Sequence, residues 1–180
     1  PVSAPPPERG TLRRFAASCV STPANIALTL AIALLLTLLL PDLVEWTGAP
    51  ACVADISDSS VALVTALDTT GRRWQAWLNL DNAAALLLEE PEDVDDMSLW
   101  MATPEFDDAI RHKRAELDAE VPADAEGALA WASAAGVPAT AQQSRIEELL
   151  RSQETFAEEL FDALLDGLGF PEAAQPSPQP

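Results

Sequence analysis

The chain has 180 residues, of which 29 are Asp or Glu and 10 are Lys or Arg, so its formal net charge is −19. That charge repels phosphate backbones, and the basic stretch at residues 111–114 is too short to reverse it. Nucleic acid is therefore excluded as an expected partner. The chain has 2 cysteines, which excludes a framework of several disulfides and a cysteine-rich metal site.

The first element in the chain is a long uncharged run. Residues 15–40 carry no charged side chain, and residues 26–40 are Leu, Ile, Ala and Thr only. A helix rises about 1.5 Å per residue, so about 20 apolar residues cross a bilayer. The run predicts a transmembrane helix and its interface over residues 15–46, after a Pro-rich, basic N-terminus at 1–14. Pro41 is expected to end or kink this helix.

A cleaved signal peptide is the alternative interpretation of the same run. The tripeptide at residues 49–51 (APA) loosely resembles a cleavage site. The segment between the apolar run and this tripeptide is too long for a typical signal peptide. It also carries two acidic residues, Asp42 and Glu45. A retained anchor is therefore expected.

The distribution of charge predicts an orientation for that anchor. Residues 1–40 hold three Arg and one Glu, whereas residues 41–180 hold seven Lys or Arg and 28 acids. Under the positive-inside rule, the N-terminus is cytoplasmic, or on the equivalent stromal or matrix side. The predicted localisation is a single-pass membrane protein whose C-terminal domain lies on the opposite side, in a periplasm, a lumen or the exterior.

Small and polar side chains recur every four residues in the apolar run and would share one face of a helix. In lipid, such side chains let helices approach closely and hydrogen-bond to each other. This face is predicted to dock another transmembrane helix, and chance recurrence in an Ala-rich chain is the alternative. The predicted helix-packing residues are Asn25, Thr29, Ala33 and Thr37.

A short β region follows the apolar run. Residues 61–67 and 72–80 are rich in strand-forming side chains and flank residues 68–71 (DTTG), whose Asp and Gly are typical of a tight turn. The pattern predicts a β-hairpin, with residues 52–56 as a candidate third strand, within a short meander over residues 47–80.

The alternation of side chains in the second strand places Trp77 on its more polar face. Tryptophan is enriched in the energetic centres of protein interfaces, so Trp77 is a candidate partner-binding residue. Burial by its own chain is the commoner fate of a tryptophan and is the alternative.

The rest of the chain, residues 81–170, is predicted to be helical and to be followed by a Pro-rich tail at 171–180. Thr103 followed by Pro104 is a typical helix start, and Pro122 is expected to stop that helix. Thr140 with Gln143 resembles a capping box that opens the last helix. The predicted helices cover residues 81–88, 103–120, 124–135, which Gly136 caps, and 140–168.

The last predicted helix is strongly amphipathic. Packing of its apolar face within the chain is one interpretation, and docking on another subunit is the other. Acidic side chains near its C-terminal end oppose the helix dipole, which a basic partner would relieve. The partner-binding candidates on this helix are Phe156, Leu160, Phe161, Leu164, Glu158, Glu159 and Asp162.

No pattern in the sequence indicates catalysis. Phosphate-binding, dinucleotide-binding, nucleophile-elbow and zinc-protease motifs are missing. The acidic clusters at residues 93–96 and 105–108 lack the Gly and Glu spacing of a calcium loop. His112 is the only histidine, so this chain cannot build a histidine-based metal site or triad alone. We therefore expect no enzyme activity, catalytic residue, metal ligand or cofactor.

The sequence thus predicts a mostly α fold with a small β-hairpin or meander: a single N-terminal transmembrane helix followed by a small acidic α+β extramembrane domain. The expected function is a non-catalytic accessory subunit of a larger membrane complex, for which photosynthetic and respiratory complexes are hosts by analogy. The alternative is an independent, membrane-tethered acidic protein that captures a cationic soluble partner. The expected partners are other membrane-protein subunits, the lipid bilayer and a basic soluble protein.

Overall fold

The structure is a computed structural model that describes residues 38–88 and 97–170. Within these ranges, the structure contains a three-stranded antiparallel sheet and five helices, besides a helical stretch at the start. The strands are β1 (Ala51–Ser57), β2 (Val61–Leu67) and β3 (Arg73–Leu78). The helices are α1 (Leu80–Leu86), α2 (Met97–Trp100), α3 (Pro104–Ala134), α4 (Gln143–Arg151) and α5 (Ala157–Gly167). Residues 38–47 are also helical.

The predicted single-pass membrane fold, and with it the membrane localisation, is corrected by the structure. No helix within residues 38–88 and 97–170 is long and apolar enough to cross a membrane. Leu40, in the described end of the apolar run, and Val44, just after it, are buried against Leu67 of β2, so this end packs on the sheet. The predicted helix-packing residues Asn25, Thr29, Ala33 and Thr37 lie outside the described residues. The predicted end or kink at Pro41 is not an end, because the helical residues continue to 47.

The predicted hairpin and its third strand are confirmed. The sheet has the order β1-β2-β3, and the register pairs Leu67 with Arg73 across the β2–β3 turn. Asp68 sets this turn: its Oδ1 accepts hydrogen bonds from the main-chain N–H and hydroxyl of Thr70, at 2.8 and 2.6 Å, and from the N–H of Arg72 at 2.9 Å. These bonds, that of the Thr70 hydroxyl first, lower the pKa of Asp68 despite its burial.

The core lies between one face of the sheet and the long helix α3. Trp74, Ala76 and Leu78 alternate into it from β3, as the sequence pattern predicts. The Trp131 ring from α3 stacks on Trp74 with ring centroids 6.3 Å apart. These contacts fix α3 against β3, and the groove described below depends on that arrangement.

Helix α3 begins as predicted and ends where predicted, but it is one helix and not two. Thr103 caps it by accepting a hydrogen bond from the N–H of Phe106 at 3.3 Å. The predicted stop at Pro122 is wrong, because the helix continues through it to Ala134. Val121 and Ala125 are buried on either side of the exposed proline, so core packing outweighs the loss of one helical hydrogen bond.

The last predicted helix is two helices, α4 and α5, separated at residues 152–156. The expected capping box is also wrong, since the Thr140 hydroxyl donates to the carbonyl of Asp166 at 2.8 Å. At the break, the side-chain amide of Asn79 donates to the carbonyl of Glu154 and accepts a hydrogen bond from its N–H. A tertiary contact therefore ends α4 inside an amphipathic pattern that is helical on both sides.

Candidate binding groove along strand β3

A groove of about 490 Å³ runs along β3 and opens to solvent. Side chains from both faces of β3 line it, together with one residue of β2 and two carboxylates of α3. Such a lining belongs to a groove that follows the edge of the strand. The lining residues are Leu63, Arg73, Trp74, Gln75, Ala76, Trp77, Glu120 and Asp124.

The outer edge of β3 has free main-chain groups among the described residues. In an antiparallel pair, alternate residues turn both main-chain groups toward the neighbouring strand. The N–H of Asp68 donates to the carbonyl of Arg72 at 3.1 Å, so Asp68 and Arg72 form a hydrogen-bonded pair. Because such pairs recur at every second residue, Trp74, Ala76 and Leu78 are also hydrogen-bonded to β2. The residues between them turn their N–H and C=O groups outward: Arg73, Gln75 and Trp77.

Two carboxylates of α3 face this edge. Glu120 and Asp124 are four residues apart and therefore share one face of the helix. Burial raises the pKa of Asp124 to about 6, and the negative charge of Glu120 contributes to that rise. Arg73 lines the same groove, yet no ion pair joins either carboxylate to a cation of residues 38–88 or 97–170.

Asp118, on the same helix, shows the contrasting arrangement. Its carboxylate accepts from Arg114 at 3.2 Å and from Arg151 of α4 at 3.1 Å. Burial disfavours the charged form of Asp118 and would raise its pKa. The two guanidinium groups favour the charged form more strongly, so the pKa of Asp118 is lowered. Asp118 is thus compensated by two cations, whereas the acid pair beside the groove has no cation partner among the described residues.

A tight contact between α3 and β3 holds the acid pair in place. The indole N–H of Trp74 donates to the main-chain carbonyl of Asp124 at 2.6 Å. Gly127 lets the indole approach, since a Cβ added there would lie 2.3 Å from Cδ1 of Trp74. The position of Asp124 relative to the strand edge is thus set by the buried Trp74 indole bonded to its main-chain carbonyl, and does not depend on surface side chains.

The structure separates the predicted partner-binding residues into three environments. Trp77 is half-buried and lines the groove, where it also packs against the core. Leu160 and Leu164 are buried in the protein's own core, so a partner cannot reach them, and Phe161 is half-buried beside them. Phe156 is 51% exposed just before α5 and does not line the groove.

The predicted acidic candidates also lie on α5 and not in the groove. Glu159 and Asp162 are exposed, whereas Glu158 is half-buried. The hydroxyl of Ser59, in the β1–β2 turn, donates to Oε1 of Glu158 at 2.8 Å. Oε2 of Glu158 is buried and has no hydrogen-bond partner among the described residues. Glu158 is thus a structural contact between a turn and the start of α5.

The sequence-based prediction missed Glu120 and Asp124, although one signal was present. Two like charges four residues apart on a helix are unfavourable unless a cation is near them. The expected helix stop at Pro122, between the two residues, hid this pattern. Arg73 and Gln75 carried no signal of their own, because the free edge of β3 exists only in the folded sheet.

A second surface, beside strand β1 at the other edge of the sheet, is apolar. Leu38, Leu39, Leu43 and Trp46 are exposed on the helical residues 38–47, with Trp46 84% exposed. A groove of about 560 Å³ lies between this helix and β1 and includes Cys52. Burial raises the pKa of the free Cys52 thiol to about 11, so it is protonated and weakly nucleophilic.

Within the described ranges, no group of three or more His, Cys, Asp and Glu residues is arranged to hold a metal ion. The fold and the groove define a small acidic domain of helices and a three-stranded sheet, with an open strand edge beside two carboxylates that have no cation partner among the described residues. Comparisons with protein families, with curated proteins and with solved structures found no match to this chain.

Proposed function

We propose that this protein is a non-catalytic interaction domain that binds a cationic segment of a partner protein in the groove along β3. Two functions are expected from the sequence. This proposal keeps the second, the capture of a basic partner, but not the membrane tether. The accessory subunit docked through a membrane helix depended on that helix and is set aside. The observation that carries the proposal is the Glu120–Asp124 pair, which lacks a compensating cation in the described chain.

Electrostatics supports a cationic partner at this position. A half-buried carboxylate whose pKa is about 6 is ionised at neutral pH at a free-energy cost, and Glu120 adds to that cost. A lysine or arginine placed beside both groups would remove it. The net charge of −19 would also attract a basic partner from a distance and raise the rate of encounter.

The composition of the groove supports binding without catalysis. Its lining residues include no hydroxyl, thiol or imidazole, so the two carboxylates have no side-chain nucleophile to activate in the groove. The chain's one histidine, His112, lies on α3 outside the groove lining, and its side chain is 81% exposed. Trp77 gives the groove an apolar wall of the kind that is enriched in protein interfaces.

The test is a titration with a fluorescent hexalysine peptide, followed by anisotropy at about 20 mM and about 300 mM salt. The groove variant E120Q/D124N is compared with E159Q/D162N, which changes the net charge equally but on α5. We expect the groove variant to weaken binding about tenfold at low salt and the α5 variant to weaken it less than about twofold. Equal losses in both variants, or no binding by the unmodified protein, would contradict the proposal.

A further inference from the structure

We infer that the partner segment binds as an extended strand paired with the open edge of β3, and that it places a basic side chain between Glu120 and Asp124. This inference rests on the proposed function and adds the conformation and the side-chain pattern of the ligand. It follows from three observations: the free main-chain groups, the two-sided lining of the groove and the location of the charges.

The first observation is the row of free main-chain groups on β3. The N–H and C=O groups of Arg73, Gln75 and Trp77 point outward, and no described residue bonds to them. Such an edge is a template for an added strand, and natural proteins usually blunt it with a proline, a bulge or several charges. Here it has one charged side chain, Arg73. The side chain of Gln75 does not cover the edge, because it donates to the hydroxyl of Thr65 at 3.0 Å.

The second observation is that the groove is lined from both faces of β3. Trp74 and Ala76 line it from the face that packs on α3, and Gln75 and Trp77 line it from the other face. A ligand lying flat on one face of the sheet would meet only one of these sets. A ligand lying beside the strand, in the plane of the sheet, meets both.

The third observation is that the negative charge of the groove lies on one side of this plane only. Glu120 and Asp124 belong to α3, on the core-facing side of the sheet, whereas Leu63, Trp77 and the cationic Arg73 lie on the other side. Successive side chains of an extended strand point to opposite faces. The ligand is therefore a segment in which a Lys or Arg alternates with apolar residues.

Strand β1 provides the other edge of the sheet, and the charges distinguish the two edges. The groove beside β1 is lined mainly by apolar side chains, among them Leu39, Leu43 and Trp46, with Asp42 as its one acidic residue. The edge of β3 faces an acid pair that lacks a cation among the described residues. A basic strand is therefore assigned to β3 and not to β1.

The probe for the test is an acetylated and amidated pentapeptide of alternating Val and Lys. Two further versions are N-methylated on alternate amides, one version for each set of amides. Only one set of amides faces β3 in a paired strand. We expect methylation of that set to weaken binding about tenfold, and methylation of the other set to change it less than about twofold.

A pair of protein variants tests the same contact from the other side. The N–H of Gln75 points outward, so Q75P removes an edge donor without removing a hydrogen bond of the sheet. Q75V keeps the N–H and removes the same side-chain bond to Thr65. We expect Q75P to weaken pentapeptide binding about tenfold, and Q75V to bind within about twofold of the unmodified protein. If Q75P does not fold, the methylated peptides still decide the question.

The outcomes separate this inference from the function on which it rests. If both methylated peptides bind equally while E120Q/D124N still weakens binding, strand pairing is wrong and the cationic groove remains. If neither hexalysine nor the pentapeptide binds, the proposed function itself fails. Protection of the Gln75 amide by a second copy of the protein, seen as self-association without peptide, would also overturn the inference.

Discussion

Asn79 and Glu154 exchange two hydrogen bonds, although 75 residues separate them in the chain. The side-chain Nδ2 of Asn79 donates to the carbonyl of Glu154 at 3.0 Å, and the N–H of Glu154 donates to Oδ1 of Asn79 at 3.0 Å. The same Nδ2 donates to the carbonyl of Ser60 at 2.6 Å. One fully buried amide thus joins the end of β3 to the β1–β2 turn and to the break between α4 and α5.

Replacing Asn79 should therefore be strongly destabilising. Asn79 has φ 59°, which asparagine adopts more readily than most residues, and alanine would lose all three hydrogen bonds. We expect N79A to lower the free energy of unfolding by about 3 kcal/mol, measured by urea denaturation. The control is N82A, which removes one bond to Ser60 and should cost about 1 kcal/mol or less. Similar small losses in both variants would contradict this role.

Gly127 should resist replacement even though it lies inside a helix. Alanine is favoured over glycine there by about 1 kcal/mol in intrinsic helix propensity. The added Cβ would lie 2.3 Å from Cδ1 of Trp74, whose indole is held by its bond to Asp124. We expect the clash to prevail, with G127A less stable by about 2 kcal/mol. Adding W74L should remove most of that penalty in a double-mutant cycle, and an increase in stability in G127A alone would refute the close contact.

Pro122 should be replaceable with a gain in stability. It is exposed inside α3, where its ring deprives the carbonyl of Asp118 of its helical donor. Alanine restores the N–H, although the unfolded chain also gains freedom when the proline is removed. We expect P122A to raise the free energy of unfolding by about 2 kcal/mol, measured by thermal or urea denaturation. A loss of stability would mean that α3 needs the local geometry imposed by proline.

The raised pKa of Asp124 predicts a dependence of stability on pH. The folded value of about 6 lies above an unfolded value of about 3.9, so the folded state holds more protons between these values. The contribution of Asp124 to the free energy of unfolding therefore falls as pH rises from about 4 to about 6, and it stays low at pH 7. We expect D124N to flatten this part of the profile and to gain about 1 kcal/mol at pH 7, allowing for screening at a half-exposed site.

The shifted pKa values of other acids do not affect the comparison of D124N with the unmodified protein. Asp68 and Asp118 have lowered pKa values, so their contribution is present at neutral pH and is lost only at acid pH, below about 4. Burial raises the pKa of Asp55, but Asp55 is the same in both proteins being compared. An unchanged slope between pH 4 and 6 in D124N would contradict the assignment.

Local signals in the sequence were sufficient for several elements. The turn at Asp68 and the cap at Thr103 each depend on side chains within four residues, so the hairpin and the start of α3 could be predicted. The continuation of α3 through Pro122 and the break near Glu154 depend on partners distant in sequence. Periodicity alone cannot reveal such contacts, and for that reason one helix was predicted as two and two helices as one.

The predicted site failed for a related reason. Leu160 and Leu164 do form an apolar face, as the periodicity indicated, but that face is covered by the chain's own sheet and helices. The apolar run before β1 was interpreted from composition, and its described end at Leu40 packs on β2. Trp77 was chosen for its type and lines the groove together with Glu120 and Asp124, which become neighbours of β3 only when α3 folds onto it.

The most direct measurement is paramagnetic broadening of protein amide signals by a spin-labelled Val–Lys pentapeptide. If the segment binds as described, broadening is strongest at the amides of Gln75 and Trp77 and around Asp124 of α3, and it is strongly reduced in E120Q/D124N. Strongest broadening on α5 around Glu159 and Asp162, or broadening that is even over the whole surface, would contradict a cationic site in the groove of β3.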